Sequence, residues 1–402
     1  MRIGLITGEY PPQQGGVGDF TRELARALIA AGHEAQVVTT AISQRRSAIT
    51  LSQEDGLQVW RAITSWGMRC WDQVASIAHR EGFDVLNIQY EPAAYAMQVG
   101  VNFLPGRWGR RKIEMPIVTT FHDLLVPYLF PKAGSLRWKV VESLARHSDA
   151  VIVTNDEDRS RLSDPQRPIS NLHVIPIGSN IDPKLAGEFD RAIERARRGI
   201  QPAEFVLGYF GFFNLSKGGS DLMHALKALS DQGLPVKLLL IGGRTGSSDP
   251  TNAEYAVQVE KLIDSLGVTD RVIATGFLEP PEVSRALLTC DVMVLPYVDG
   301  ASLRRGSLLA AITHGRAIVT TEPRYPIEGL KNEESVMYVR PNDPQALAEA
   351  AQRALIDTDL RACLQTNVSA AAKLYTWDRI AAQTVDVYQQ VLRNARRATP
   401  TS

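Results

Sequence analysis

Two adjacent arginines, Arg304 and Arg305, stand in "SLRRGSLLAAITHGRAIVTT" just before a Gly-Ser step and an apolar, helix-forming run. A helix opening near Gly306 or Ser307 places both cations at its positive end. There each is disfavoured by roughly 0.3–1 kcal/mol unless an anion is bound. The backbone amides of Ser307 and Leu308 would supply donors for that anion; Asp299 is the competing partner for the arginines. Lys217, in "NLSKGG" beside a Gly-Gly at a helix start, suits a phosphate or else is a solvated surface lysine. Gly15 to Gly18, "GGVG", let backbone approach a ligand closely ahead of another helix, or make a plain tight turn. His122 in "IVTTFHD" and Glu91 in "NIQYEP" each follow a strand's carboxyl end. The histidine faces a ligand or caps the sheet; the glutamate orients a hydroxyl or is an exposed carboxylate.

Other chemistries are excluded by spacing. "GGVG" is not a dinucleotide fingerprint, because Thr21 stands where G-x-G-x-x-G needs glycine and Thr39 and Thr40 replace the acidic ribose contact. No P-loop occurs, since Lys217 precedes its glycines. The seven histidines lack ligand spacing, so no metal site is expected. Lys+Arg and Asp+Glu are both 44, which argues against a nucleic-acid partner. Three separated cysteines fit a reducing compartment without a disulfide framework. With no signal-like N-terminus and no long apolar span, a cytoplasmic protein is expected. Basic residues around Trp108 in "LPGRWGRRK" leave a peripheral membrane contact open, against a solvated loop.

The elements that must position these groups are alternating strands and helices. "RIGLITGEY", the glycine loop, a helix with Phe20, Leu24, Ala27, Leu28 and Ala31 on one face, and "GHEAQVVTT" read as a βαβ unit. "FDVLNIQY", "PIVTTF" and "DAVIVTN" are further strands. A second such layout opens at "EFVLGYFGFFNLSKGGSDLMHALKAL", with Leu222, Ala225, Leu226 and Leu229 on the helix face. "VKLLLIGG", "RVIATGF", "DVMVLPY" and "AIVTT" continue it. With 402 residues, two domains are expected: 1–183, 184–375, and a crossover helix with tail over 376–402. In open α/β sheets ligands bind beyond the strands' carboxyl ends, where these groups lie.

The ordered set "LITGEYPPQQGGVGDFTRELARAL", "TTFHD", "VIVTNDED", "VIPIGSNID", "GYFGFFNLSKGGSDLMHAL", "TGFLEPPEVSRALLTCDVMVLPY" and the arginine segment resembles glycosyltransferase family 4 over nearly the whole chain. The resemblance implies the GT-B fold: two facing, doubly wound Rossmann-like domains, a deep interdomain cleft, and a C-terminal helix ("YTWDRIA") crossing back to the first domain. It implies sugar transfer from a nucleotide-diphosphate donor, with retention and without a required metal or other cofactor. The acceptor then belongs to glycan or lipid-linked chemistry. Gly15 and Gly16 would lie beside the donor phosphate and the acceptor, His122 would touch the donor sugar, and Lys217 matches the phosphate-binding lysine. Asp19 and Glu91 are the acceptor-side candidates.

This chain departs from the family at three points. Phe212 stands where an arginine follows the glycine. Ser302 and Ala310 occupy the positions of two glutamates seven residues apart. Arg304 and Arg305 are therefore expected to supply the missing positive charge, with Gly306, Ser307 and Leu308 holding a diphosphate and Ser302 a sugar hydroxyl. The missing glutamates keep two alternatives in view, a non-catalytic GT-B scaffold and a nucleotide-sugar epimerase.

Overall fold

The structure is a computed structural model that describes all residues except 14, 43–49, 55, 107–108, 125–133, 170, 185–186, 244–249 and 399–402. The chain divides into two compact units, Met1–Gly178 with Trp377–Ser402, and Ser179–Thr376.

In the first unit, short β-branched and aliphatic runs form strands β1 (Arg2–Thr7), β2 (Glu34–Thr40), β3 (Thr50–Glu54), β4 (Leu57–Ile63), β5 (Val85–Tyr90), β6 (Ile117–Phe121), β7 (Ala150–Val153) and β8 (Leu172–Val174). Helices α1 (Gly16–Ala30), α2 (Cys70–Glu81), α3 (Gly134–His147) and α4 (Asp156–Leu162) alternate with them. The sheet order is β3-β4-β2-β1-β5-β6-β7-β8, with β3 antiparallel to β4 and the remaining pairs parallel. The chain reverses direction across the sheet between β1 and β5, which is where ligands bind in such folds.

The second unit repeats the plan. Its strands are β9 (Phe205–Phe210), β10 (Val236–Ile241), β11 (Val272–Ala274), β12 (Val292–Leu295), β13 (Ala317–Thr321) and β14 (Met337–Val339), in the order β11-β10-β9-β12-β13-β14. Every pair is parallel, and the switch point falls between β9 and β12. Helices α5 (Arg191–Arg197), α6 (Gly219–Asp231), α7 (Pro250–Ser265), α8 (Pro280–Thr289), α9 (Gly306–Thr313), α10 (Pro344–Ile356) and α11 (Thr358–Ala372) complete it.

The last helix, α12 (Trp377–Ala398), belongs to the first unit and packs on α1. Ile380, Ala381, Val387, Tyr388 and Val391 form its buried stripe. Asn87 Nδ2 of β5 donates to Tyr388 Oη at 2.6 Å, and Thr120 Oγ1 of β6 donates to Asn87 Oδ1 at 3.0 Å. Helix and sheet are thus joined by a satisfied polar chain within an apolar layer. Helix α1 buries Phe20, Leu24, Ala27 and Leu28 as its spacing predicts, but Ala31 is exposed: the helix stops at Ala30 and Ala31 is its C-cap.

Both sheets are stapled at the amino ends of their strands by an aspartate that precedes a strand. Asp84 accepts from the Arg2 amide, Asp149 from the Ile117 amide and Asp291 from the Val206 amide, each at 2.7 Å. Asp291 also pairs with Arg191 at 2.7 Å and Arg195 at 2.6 Å while almost wholly buried. Removing it would leave a strand amide without its acceptor and two guanidinium groups without their carboxylate, with only backbone carbonyls of Thr289, Cys290 and Glu204 left to them. Asp291→Ala is therefore expected to destabilise the second unit by about 3–5 kcal/mol. Asp84→Ala, at an exposed site, should cost about 1 kcal/mol. Thermal unfolding of the full chain reads the difference.

Candidate active site

In the second unit the site grows from the carboxyl ends of β9 and β12. Strand β9 runs into Gly211, whose φ of +115° is open to glycine but rarely adopted by other residues. A Cβ there would lie 2.7 Å from Lys217 Nζ, so the lysine head rests against bare backbone. Gly218, also left-handed, turns the chain from the short helical turn at Leu215–Lys217 into α6, and its Cα face abuts the Pro296 carbonyl beyond β12. The Val298 amide donates to the Ser216 carbonyl at 2.9 Å, locking the two loops together.

The Lys217 backbone amide donates to the Asn214 carbonyl at 3.1 Å, but the side-chain ammonium has no hydrogen-bond or ion-pair partner among the described residues. Burial pushes its pKa down to about 8, and the nearby Arg305 guanidinium adds to the shift; no carboxylate offsets them. A cation in this position is held at a cost that either loss of its proton or a bound anion relieves.

Arg305 is the N-cap residue of α9 and makes no side-chain cap to the helix. Its guanidinium is held on Asp299 by two bonds of 2.6 and 2.7 Å, donates to Ser216 Oγ at 3.1 Å and lies 5.2 Å over the Tyr297 ring. The local carboxylate weighed from the sequence therefore occupies Arg305, so its charge is partly compensated before any ligand arrives. Arg304 is engaged as well, and its amide donates to Ser302 Oγ at 3.4 Å. Ser302 thereby closes the turn into α9.

The helix starts at Gly306, and its first amides differ from expectation in one respect. Leu308 N–H is not free: it donates to the Arg305 carbonyl at 3.0 Å, and the residue is fully buried. The amides of Gly306 and Ser307 have no acceptor among the described residues. Gly306 is exposed and open space faces its Cα. Ser307 Oγ pairs with Tyr297 Oη at 2.8 Å, which fixes the start of the helix on the β12 loop. Ala310 lies inside the helix, buried, its carbonyl accepting from His314 Nδ1 at 2.7 Å.

In the first unit the corresponding helix end is already filled. Glu9, just past β1, turns back so that its Oε1 accepts from the amides of Val17 at 3.0 Å and Gly18 at 3.4 Å. Its pKa is raised, chiefly by burial, with Glu91 and Asp19 adding repulsion against those amides. A phosphate beside Gly15 and Gly16 would meet this carboxylate rather than open donors. A Cβ on Gly15 would overlap the Glu9 carboxyl group, which would have to move aside, whereas Gly16 faces open space. Asp19 pairs with Arg22 at 3.3 Å, and Glu91 accepts from the Ala94 amide at 2.8 Å, capping the turn after β5.

His122 sits at the end of β6, its ring edge-on to Phe20 at 4.6 Å, and its Nε2 lies 2.9 Å from Gln89 Oε1. Burial pushes its pKa down to about 3, with no charged neighbour contributing, so it is a neutral imidazole at physiological pH. Of the basic loop, Arg107 and Trp108 lie outside the described residues; Arg110 pairs with Asp149 and Lys112 with Asp72, which satisfies them locally. Among the described residues no helix is long and apolar enough to cross a membrane, and no cluster of three or more His, Cys, Asp or Glu could hold a metal.

Sequence reasoning missed Glu9, Gln89 and Tyr297 as parts of these sites. Tyr297 and Glu9 could have been suspected from their place just past β12 and β1; Gln89 carries no local signal.

Two Rossmann-type sheets with such strand ends are the architecture of GT-B glycosyltransferases. Residues 15–178 match the model of a glycosyl transferase 4-like domain, and residues 190–370 that of the glycosyl transferases group 1. The chain belongs to glycosyltransferase family 4. It is 25% identical to the D-inositol 3-phosphate glycosyltransferase of Xylanimonas cellulosilytica over 98% of this chain and 97% of that one. Sucrose-phosphate synthase from Thermosynechococcus elongatus has a similar fold, with a TM-score of 0.75 at 21% identity over 98% of this chain and 99% of that one. So has Anabaena HepE, solved with UDP, with a TM-score of 0.77 at 20% identity over 97% of this chain and all of the other (100%).

The glycine loop gives a direct test. Gly15→Ala should displace Glu9 and lower the unfolding temperature, while Gly16→Ala, in open space, should leave it within about 0.5 kcal/mol of wild type. Equal losses would show that Glu9 is not seated on the α1 amides.

Proposed function

We propose that this glycosyltransferase uses a nucleoside-diphosphate sugar and that the second unit binds the donor's diphosphate. The observation that carries the reading is Lys217, a half-buried lysine whose ammonium has no partner among the described residues, beside an Arg305 that adds further positive charge. The amides of Gly306 and Ser307 at the start of α9 supply neutral donors for the same anion. Arg305, stacked on Tyr297 and held by Asp299, keeps positive charge close by in a fixed direction rather than as a mobile side chain. Arg304, beside it, adds to the same positive end.

Charge that develops on the leaving diphosphate is stabilised by these groups before the reaction begins, the largest kind of catalytic contribution. No metal is needed for that task when a lysine and helix amides are in place. His122, neutral and desolvated, is assigned to a hydroxyl of the donor sugar, and Glu91 and Asp19 to the acceptor side. In a retaining transfer, with the acceptor attacking the face the diphosphate leaves, no dedicated general base is required if the departing phosphate takes the acceptor's proton. Uridine is the first base to try, because HepE was solved with UDP and with UDP-glucose. The acceptor is a hydroxyl of a glycan or lipid-linked glycan, reached at the membrane surface in the latter case.

Thermal unfolding with UDP, GDP, ADP and dTDP, with and without chelator, tests the reading. One nucleotide at about 100 times its Kd should stabilise by roughly 2.7 kcal/mol, unaffected by chelator. Lys217→Ala should abolish that shift, lower kcat/KM by about 10²–10³-fold, and leave the unliganded protein as stable as wild type or more so. A wild-type shift in Lys217→Ala would place the diphosphate elsewhere.

A further inference from the structure

Gln89 is wholly buried on β5, and its register is set by pairing with Thr7 of β1 on one side and Thr120 of β6 on the other. A glutamine in the middle of a sheet flanked by apolar layers needs an explanation, because its amide must find partners. Its Oε1 has one, His122 Nε2 at 2.9 Å. Its Nε2 has none and is itself buried. A leucine of similar size would avoid that unpaired donor, so the residue type is not the one that packing alone favours.

The geometry points to Gln89 as a positioning residue for sugar transfer: its carbonyl oxygen holds the proton of His122 on Nε2, leaving Nδ1 as a hydrogen-bond acceptor for a donor-sugar hydroxyl. This rests on the reading that His122 meets the sugar. Three contacts hold the ring in one orientation: the Gln89 bond, the edge-on contact with Phe20 at 4.6 Å, and Phe20's own packing against Trp377 at 5.2 Å. Nδ1 has no partner among the described residues. An amide is suited to this task where a carboxylate is not. It accepts the Nε2 proton without adding a charge that would draw a second proton onto the ring. The ionisable neighbours are engaged elsewhere: Glu91 on the Ala94 amide, Asp19 on Arg22, and Asp123 in interactions of its own.

The test is nitrogen NMR of histidine-labelled full-length protein, with His122→Ala used to assign the signal. In the wild type His122 should be the Nε2–H tautomer and should not titrate above pH 5. Gln89→Leu should populate both tautomers and lower kcat by about 10–100-fold with little change in donor KM. Its unfolding temperature should equal or exceed that of wild type, because a buried unpaired amide has been removed. Gln89→Glu should keep the Nε2–H bond but raise the histidine pKa by more than one unit, adding an ionisation to the pH profile of kcat. A wild-type Nδ1–H tautomer, or an unchanged tautomer in Gln89→Leu, overturns the proposal without reference to folding or activity. If instead the tautomer shifts as expected and His122→Ala transfers sugar at the wild-type rate, the sugar reading fails while Gln89's control of the ring stands.

Discussion

A half-buried ammonium with no carboxylate to meet it among the described residues is the constraint around which the second unit's site is built. Lys217 is brought against the bare backbone of Gly211 by two left-handed glycines, one ending β9 and one starting α6. Each feature follows from the switch point between β9 and β12, where adjacent strands send their chains in opposite directions and leave a crevice. Arg305 deepens the constraint. Its pairing with Asp299 limits its own availability, yet its field still lowers the Lys217 pKa. The unliganded protein therefore stores an unfavourable charge arrangement that binding of a diphosphate would relieve. That is a common exchange of stability for function.

The first unit uses the same architecture with the opposite occupancy. Its α1 start also offers open amides after a glycine loop, but Glu9 fills them. An anion supplied by the chain itself stabilises the helix end, and with Asp19 and Glu91 nearby it makes this end of the sheet acidic. One half of the molecule thus presents a helix start whose Gly306 and Ser307 amides have no acceptor among the described residues, and the other a helix start filled by Glu9. The proposed division of labour between donor phosphate and acceptor hydroxyl rests on that difference. Beneath both sites the aspartates that open β5, β7 and β12 pin neighbouring strands at their far ends, so the strands' carboxyl ends are held in register where the chemistry is expected.

Much of the fold was legible because strands and helix faces are written in local periodicity. The runs "DVMVLPY" and "AIVTT" are strands, and Leu222, Ala225, Leu226 and Leu229 are buried on one helix face. The family resemblance followed from the order of such segments. Charge pairing six residues apart was also within reach, and the Arg305–Asp299 bond was weighed from sequence. What could not be read depends on strand register and chain reversal. Gln89 meets His122 only because β5 and β6 pair Gln89 with Thr120. Glu9 reaches the α1 amides only after the loop folds back. The closing of Leu308 N–H onto Arg305 reflects a tightened first turn, a detail of geometry that residue types do not encode.

The most direct measurement is the ionisation of Lys217 itself, followed by NMR of its side-chain nitrogen in the free protein and with UDP, and with the other nucleoside diphosphates in turn. In the free protein it should lose its proton near pH 8. With a nucleoside diphosphate bound, the adjacent anion should restore the charged form and raise the pKa toward the ordinary lysine value of about 10.4. A pKa that stays near 8 in the presence of saturating nucleotide would mean that no phosphate sits beside Lys217, and the donor site would have to be sought elsewhere in the chain.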